Sequence, residues 1–597
     1  MENPVDPQAS QQEGGRLCVL KFGSSVLGTE ADYPAVALEI YRHVRDGEKV
    51  VAVVSALAGQ TDALLDQAAR VGAGAPDALV ARLARVGELQ SAALMALALS
   101  RVGVRACTMD PDEMGLVAEG DPLDSNLVGL DAEAVWAKLA VHDAVVVPGF
   151  TAGHAQHGVV TLGRGGTDLS AVFFAARLDA HRVRLIKDVD GVYAADPARN
   201  PGAERYSQLS YAEAAEASSG LIQPKAIRAA EAEDVLIEVA ALGSAECTTI
   251  AHLPACRACP PQPKRLRVAL LGCGAVGGGV LAHLRSRPDL FELGPVLVRH
   301  PERHDEEALF TTSGAEALAG KPDLVVEALG GADFPADLMR SALRWGAQVV
   351  TANKAAVAKH YDSLHACADA GGGGLFYSAA IGGGAPILET LARLDGVVAV
   401  EGVMNGTCNY LLSRLAEGRP FDEALAKAQE LGFAEADPSA DVDGHDAADK
   451  LSILVREAFG AALLPERIAK ASLRDVTPQD LRAAAARGEV LKQVGRCRLL
   501  ADGSLLAEVV IVPLPAAHPL AWARNEENCF LVTDSGGRVH EVFGKGAGRC
   551  PTANAVFADV MDAQRALLGR AAAAGGTLLG RAPMAAKAMP APLKLRA

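Results

Sequence analysis

Gly272-Cys273-Gly274-Ala275-Val276-Gly277 follows the apolar run Val268 to Leu271 and leads into a helix-forming stretch, and it constrains the fold of this 597-residue chain more tightly than any other segment. A strand that turns through GxGxxG into a helix uses its first glycine for the turn, its second for close approach of a ligand and its third for packing helix on strand. Such a turn leaves backbone N–H groups at a helix N-terminus, which suits the pyrophosphate of a dinucleotide. Gly272, Gly274, Ala275, Val276 and Gly277 are therefore candidate cofactor contacts. The next strand ends PVLV at Val298 and is followed by Arg299, where a free ribose 2′-hydroxyl calls for Asp or Glu. Arg299 suits a 2′-phosphate, which favours NADP(H) and leaves NAD(H) open. Further on, VVTANK sets Thr351 and Lys354 at the carboxyl end of another strand, where open α/β sheets bind ligands.

The length exceeds one domain of ~100 to 200 residues several times over. Pro254 to Lys264, PACRACPPQPK, can continue neither helix nor ladder and marks the main linker. Its Cys256 and Cys259 form a CxxC with no second pair nearby, and a chance pair outweighs half a zinc site or a redox pair. Ahead of it LCVLKFG, a helix to about Arg45, KVVAVVSAL and Ala/Leu helices from Thr61 to Ser100 alternate as in a parallel sheet with crossover helices. Lys plus Arg number 57 against 73 Asp plus Glu, and the net charge of -16 argues against nucleic acid or an anionic membrane as partner. Met1 to Arg16 lacks the pattern of a secretory signal, no run approaches the ~20 apolar residues of a spanning helix, and eleven scattered cysteines suit a reducing cytoplasm.

In the first half, Lys21 closes an apolar strand and is followed by Gly23, Ser24 and Ser25, so that an ammonium and backbone N–H groups could face phosphates. A second glycine turn, Leu162 to Asp168, gathers Arg164, Thr167 and Asp168 at a helix start. KDVDGVY and Asp196-Pro197 offer carboxylates for Mg²⁺ or ribose. Together KFGSSV, VVSALAGQTDALL, TLGRGGTD and KDVDGVYAADP resemble the KFGGTS, VVSAxxGxTDxL, TLGRGGSD and TDVDGVYTADP of the amino acid kinase family, specifically the aspartate kinases, over roughly residues 16 to 252. The resemblance implies ATP with Mg²⁺ and aspartate as ligands. Lys21, Gly23 and Ser25 would lie at the phosphates, Thr61, Glu88 and Arg164 at aspartate, Thr167 and Asp168 at the same helix start, and Asp188, Tyr193 and Asp196 around the nucleotide. Phosphoryl transfer to a carboxylate needs chiefly charge neutralisation and alignment. The departures are Ser24 and Val26 in the phosphate loop and SSGLIQP at 218–224 for GAKVLHP, which lacks that motif's lysine and histidine. An active kinase and a kinase-like regulatory or dimerisation module both remain open. The space between the halves leaves no room for the paired ACT regulatory domains of aspartate kinases.

In the second half, Gly432 to Lys450 is the densest polar constellation, with DAADKLSILVREAFG read as an amphipathic helix that sets Asp446 and Lys450 on one face. Carboxylates beside a lysine suit an amino acid's ammonium and proton transfer at an alcohol. GFAEADPSADVDGHDAADKLSIL, EGVMNGTCNYLL, GKGAGRCPTANAVFADV, VVTANK and AAIGGGAPI resemble motifs of the homoserine dehydrogenase family, over about residues 266 to 570. The resemblance implies Lys450 as proton donor or acceptor, Lys354 as second essential lysine, Asp446 orienting the site, Glu435 and Asp441 on the substrate amino group, and Gly546 and Gly548 closing over the cofactor. It also implies a Na⁺ or K⁺ on the carbonyls of Ser378, Ile381, Gly383 and Ala385. Cys408, in place of a threonine, reads as a buried substitution.

The expected fold class is α/β. A leader (1–15) precedes an amino-acid-kinase-like three-layer domain (16–252), the linker (253–265), a Rossmann dinucleotide-binding domain (266–375) and an α+β substrate and dimerisation domain (376–530). The chain then returns to the Rossmann domain (531–575) and ends in a flexible tail (576–597). The substrates would be aspartate, aspartate 4-semialdehyde and homoserine, and the enzyme a cytoplasmic homodimer or homotetramer.

Overall fold

The computed structural model describes residues 16–200, 202–218, 220–258, 265–305, 309–431, 433–434, 437–546, 548–573 and 595–596. The expected leader, Cys259, most of the linker, Glu435 and most of the tail lie outside the described residues. The chain divides into two compact units, Met1–Gln262 and Pro263–Ala597.

In the first unit, runs of Val, Ile and Leu buried on both faces form parallel strands, as expected of a sheet covered on both sides. Strands β1 (Leu17–Phe22), β2 (Lys49–Val54), β3 (Ala144–Pro148), β4 (Arg182–Lys187) and β5 (Ile237–Ala241) lie in the order β5-β4-β1-β2-β3, all parallel, within a nine-stranded sheet. Helices α1 (Tyr33–Arg45), α2 (Gln60–Val71), α3 (Asp77–Val102) and α4 (Gly166–Arg177) accompany them. Val19, Val51, Val53, Val147, Val183 and Leu185 meet Val172 and Phe174 of α4 in the core. The helix after the second glycine turn starts at Gly166. Sheet pairing also reaches into the proline-rich segment. Cys256–Arg257 pairs antiparallel with Tyr206–Leu209, where Arg257 lies over the Tyr206 ring and pairs with Glu204.

In the second unit, β6 (Leu266–Leu271), β7 (Val296–Leu297), β8 (Leu324–Glu327), β9 (Gln348–Thr351) and β10 (Gly374–Phe376) form a parallel sheet in the order β7-β6-β8-β9-β10. Helix α5 (Ala275–Ser286) follows the glycine turn and α6 (Lys354–Gly371) follows β9. A second sheet is antiparallel, with β11 (Val397–Val403), β12 (Glu489–Leu499), β13 (Leu505–Pro515), β14 (Glu527–Asp534) and β15 (Val539–Lys545) in the order β13-β12-β11-β14-β15. Helices α7 (Gly406–Ala416) and α8 (His445–Phe459) pack on it. The last long helix, α9 (Arg549–Ala573), packs against α5 and β9, where His283 meets Asn554 at 2.8 Å and stacks on Phe557. No helix among the described residues is long and apolar enough to cross a membrane.

The three turn glycines do different work. Gly272 has φ +103°, and a Cβ there would stand 2.4 Å from the Ala328 oxygen. A Cβ on Gly277 would stand 2.0 Å from the Gly272 oxygen, whereas one on Gly274 would meet nothing within 4 Å. Gly277→Ala should therefore lower the stability of this unit by about 1 to 3 kcal/mol, read as a drop in Tm. Gly274→Ala should leave Tm unchanged and weaken dinucleotide binding, measured by fluorescence titration.

Candidate active sites

In the second unit two lysines converge on one carboxylate. Lys354 opens α6, and its Nζ lies 2.8 Å from Asp446 Oδ1; Lys450, one turn along α8 from Asp446, places its Nζ 2.9 Å from Oδ2. The spacing of four residues on one helix makes the second pair. Lys450 also donates to the Met404 carbonyl oxygen at 2.7 Å. Burial alone would lift the Asp446 carboxyl, and the ammonium groups of Lys354 and Lys450 overcome this and hold it far below the ordinary carboxylate range. Asp446 in turn lifts Lys354 above the usual lysine value against its burial, the opposite of the lowered lysine that proton transfer near neutral pH would favour.

Asn405, the N-cap of α7, ties this centre together. Its amide nitrogen donates to Asp441 Oδ1 at 2.8 Å and to Asp446 Oδ2 at 2.9 Å, while its oxygen accepts from Cys408 N. Burial raises the Asp441 carboxyl, and Asp446 adds to this. Burial and Asp446 together bring Asp449 to about 6. Cys408 is wholly buried, with its thiol donating to the Asp441 carbonyl. Asp441 itself lies in a short helix, Ser439–Val442, where the sequence reads as loop; Pro438 starts it and Gly444 follows it.

Beside the glycine turn, buried Glu327 at the end of β8 accepts from the Thr351 hydroxyl and from Leu329 N at 2.7 Å. The Thr351 hydroxyl also accepts from Asn353 N, and Asn353 donates to the Gly331 oxygen at 2.7 Å. Thr351 thus spends its side chain on shaping the loop. Burial raises the Glu327 carboxyl. Arg299 is exposed just past β7. A Cβ on Gly383 would come within 2.9 Å of the Lys545 and Gly546 carbonyls, so this loop and the one carrying Gly546 and Gly548 pack backbone to backbone. Asn405 falls within EGVMNGTCNYLL but has no role of its own there, and Glu327 does not stand out in the sequence, its one trace being a polar residue at the junction of an apolar strand with a turn.

The first unit repeats the motif. Asp168, in the first turn of α4, lies 2.8 Å from Lys21 Nζ and 3.0 Å from Lys187 Nζ. Burial would raise its carboxyl, but the two ammonium groups hold it at about 2. Burial, and then Lys21, bring Lys187 down to about 8. Lys21 folds back so closely that a Cβ on Gly23 would lie 2.5 Å from its Nζ. Thr167 accepts from Ser55 at 2.9 Å. Glu88 on α3 is 2 % exposed, and its Oε2 has no hydrogen-bond partner among the described residues. Ser25 and Arg164 are exposed and Thr61 lies in the first turn of α2. Asp188 is exposed, Tyr193 donates to Asp190, and Asp196 accepts from Ala198 N. Gln223, at the position of the missing histidine, donates to the Arg164 carbonyl.

A glycine turn at the carboxyl edge of a parallel sheet, with two lysines on one buried carboxylate in the same unit, defines a nicotinamide-dependent dehydrogenase. The comparisons narrow this. The homoserine dehydrogenase NAD-binding domain matches residues 272–378, homoserine dehydrogenase matches 386–561, and the amino acid kinase family matches 16–240. The homoserine dehydrogenase of Lactococcus lactis subsp. lactis is 35% identical over 320 residues, 50% of this chain and 73% of that one. That of Synechocystis sp. is 38% identical over 320 residues with the same coverage. A solved homoserine dehydrogenase from Thiobacillus denitrificans aligns at 34% identity and a TM-score of 0.48, over 51% of this chain and 74% of that one. The chain belongs to the homoserine dehydrogenase family and carries an amino acid kinase domain ahead of it, the organisation of a fused aspartate kinase and homoserine dehydrogenase.

Burial lifts the Glu88 carboxyl to about 8, against the pull of Ala56 N and Lys21. Its folded value lies above its unfolded one, so between pH 4.5 and 8 the folded chain binds the extra proton and stability falls as pH rises, by up to about 1.4 kcal/mol per pH unit. Urea unfolding of Glu88→Gln should show that slope removed, with the variant matching the parent at pH 5 and exceeding it at pH 8.

Proposed function

We propose that the second unit interconverts L-homoserine and L-aspartate 4-semialdehyde with NADP(H), and that the lysine–Asp446–lysine centre carries out the proton transfer. The observation that carries this reading is Asp446 held between Lys354 and Lys450. The open space at Gly274 suits a dinucleotide pyrophosphate, with Gly272, Ala275, Val276 and Gly277 shaping the turn, Gly546 and Gly548 covering it, and Arg299 meeting a 2′-phosphate. NADP(H), when bound there, supplies or accepts the hydride. Lys450, held by Asp446 and the Met404 carbonyl, gives the carbonyl oxygen its proton and takes it back in the oxidative direction. Lys354 sets positive charge beside the developing alkoxide. Asp441, raised by burial and by a like charge, gains when a substrate ammonium arrives, and Glu435 shares that role. The buried segment 378–385, with its turn at Gly383, offers the carbonyls of Ser378, Ile381, Gly383 and Ala385 to a Na⁺ or K⁺.

For the first unit the reading is ATP- and Mg²⁺-dependent phosphorylation of L-aspartate, with Lys21 on the transferring phosphoryl group and Asp168 setting its position. Thr61, Glu88 and Arg164 take aspartate, and Gly23, Ser25, Thr167, Asp188, Tyr193 and Asp196 take the nucleotide and its metal. Lys187, buried beside Lys21, supplies a second cation where the 218–224 segment has none. A kinase-like module without catalysis is the second reading, favoured by Ser24 and Gln223 in the loops. The domain division is 16–252, 253–265, 266–375 and 376–530, with β14 and β15 carrying the antiparallel sheet on to Lys545 and α9 making the return to the Rossmann sheet, and the assembly is a homodimer or homotetramer.

Lys450→Ala should slow NADPH oxidation by the semialdehyde by about 10²-fold or more, with NADPH binding unchanged; parental turnover would remove Lys450 from its role. ATP, aspartate and hydroxylamine should yield an aspartyl hydroxamate that Lys21→Ala abolishes. Absence of hydroxamate from the parent chain selects the non-catalytic reading.

A further inference from the structure

At the other end of the first unit's sheet from Lys21, three side chains of different chemistry meet. Cys18 lies near the start of β1, His43 in the last turn of α1 and Glu48 just before β2. The Cys18 sulfur, a ring nitrogen of His43 and a carboxylate oxygen of Glu48 all lie within 4.8 Å of one another. Cys18 is wholly buried, while the side chains of His43 and Glu48 are each 12% exposed, which leaves a path from solvent. His43 Nδ1 and Glu48 Oε2 stand 2.6 Å apart. A fourth group adjoins them. His181 Nε2 lies 3.2 Å from Glu48 Oε1, and its Nδ1 is 2.5 Å from the Leu17 carbonyl. A carbonyl facing Nδ1 fixes the proton there, the orientation that ligating histidines receive from a backbone oxygen, and leaves the Nε2 lone pair as an acceptor, which Arg182 now occupies as donor.

We propose that Cys18, His43 and Glu48, with His181 as fourth ligand, form a zinc site. One thiolate, two imidazoles and one carboxylate are a donor set for Zn²⁺, with bonds of about 2.3 Å to sulfur and 2.0 Å to nitrogen and oxygen; Cys18, His43 and Glu48 already lie within 4.8 Å of one another, and His181 joins by exchanging Arg182 for the ion. Other charged groups surround it. Arg182 donates to Glu48 at 2.9 Å and to His181 Nε2, and also meets Glu238 at 3.3 Å, so it keeps a carboxylate when the ion takes Glu48 and His181. Glu39 stands 3.7 Å from His43 Nε2 and is paired with Arg42. Zinc displaces the protons of Cys18 and His43. It would tie α1 to β1, β2 and β4 at the edge away from the phosphate-facing lysines, a structural site that owes nothing to kinase turnover.

The test uses the full chain, stripped with a chelator and titrated with Zn²⁺ alone and, separately, with Co²⁺. One tight equivalent of Zn²⁺ per chain is expected, and Co²⁺ should give a thiolate charge-transfer band that Cys18→Ser removes. His43→Ala and the near-isosteric Glu48→Gln should each weaken Zn²⁺ binding by about 10-fold or more, with Glu48→Gln keeping the parental far-ultraviolet circular dichroism. Cys256→Ser with Cys259→Ser should change neither signal. The proposal falls if no stoichiometric metal binds, if Glu48→Gln binds Zn²⁺ as tightly as the parent, or if the CxxC variant abolishes binding while Cys18→Ser retains it.

Discussion

Asp446 is the point on which the dehydrogenase unit turns. A buried carboxylate between two ammonium groups leans on both partners: removing buried Lys450 would cost about 3 to 5 kcal/mol, as for one partner of a buried pair, and removing the partly exposed Lys354 less. That requirement fixes the start of α6 against the first turn of α8, and so sets the parallel sheet that carries the glycine turn against the antiparallel sheet beneath α8. Asn405 extends the constraint to Asp441 and α7. Lys354, Asp441, Asp446 and Lys450 are thereby all held by helices rather than by loops, which keeps them in register.

The kinase-family unit uses the same device on an unrelated scaffold. Asp168 lies between Lys21 and Lys187 as Asp446 lies between Lys354 and Lys450, and both aspartates sit in the first turn of a helix, where the dipole favours negative charge. Their electrostatics differ. Asp446 lifts Lys354, whereas burial and the proximity of Lys21 pull Lys187 down to about 8. A pair of lysines crowded on one carboxylate is short of negative charge.

Much of this was legible in the residues. GCGAVG announces its strand, turn and helix because each glycine answers a separate steric demand, and Asp446 and Lys450 read as one face because helical spacing brings them together. What the sequence concealed lies in long-range pairing. Nothing local says that Glu327 will take Thr351 from a neighbouring strand, that Asn405 will reach a carboxylate 41 residues away, or that Lys187 will find Asp168. The strand at Cys256–Arg257 escaped because proline composition speaks of what a segment cannot continue, while Tyr206 and Glu204 decide where it docks.

The central claim is that Asp446 organises both lysines for catalysis. Steady-state kinetics of Asp446→Asn, with NADPH affinity measured on the same sample to show that the dinucleotide fold persists, tests it most directly. The account predicts a kcat lower by about 10²-fold or more with NADPH binding close to parental. A kcat within twofold of the parent, at unchanged NADPH affinity, would contradict it.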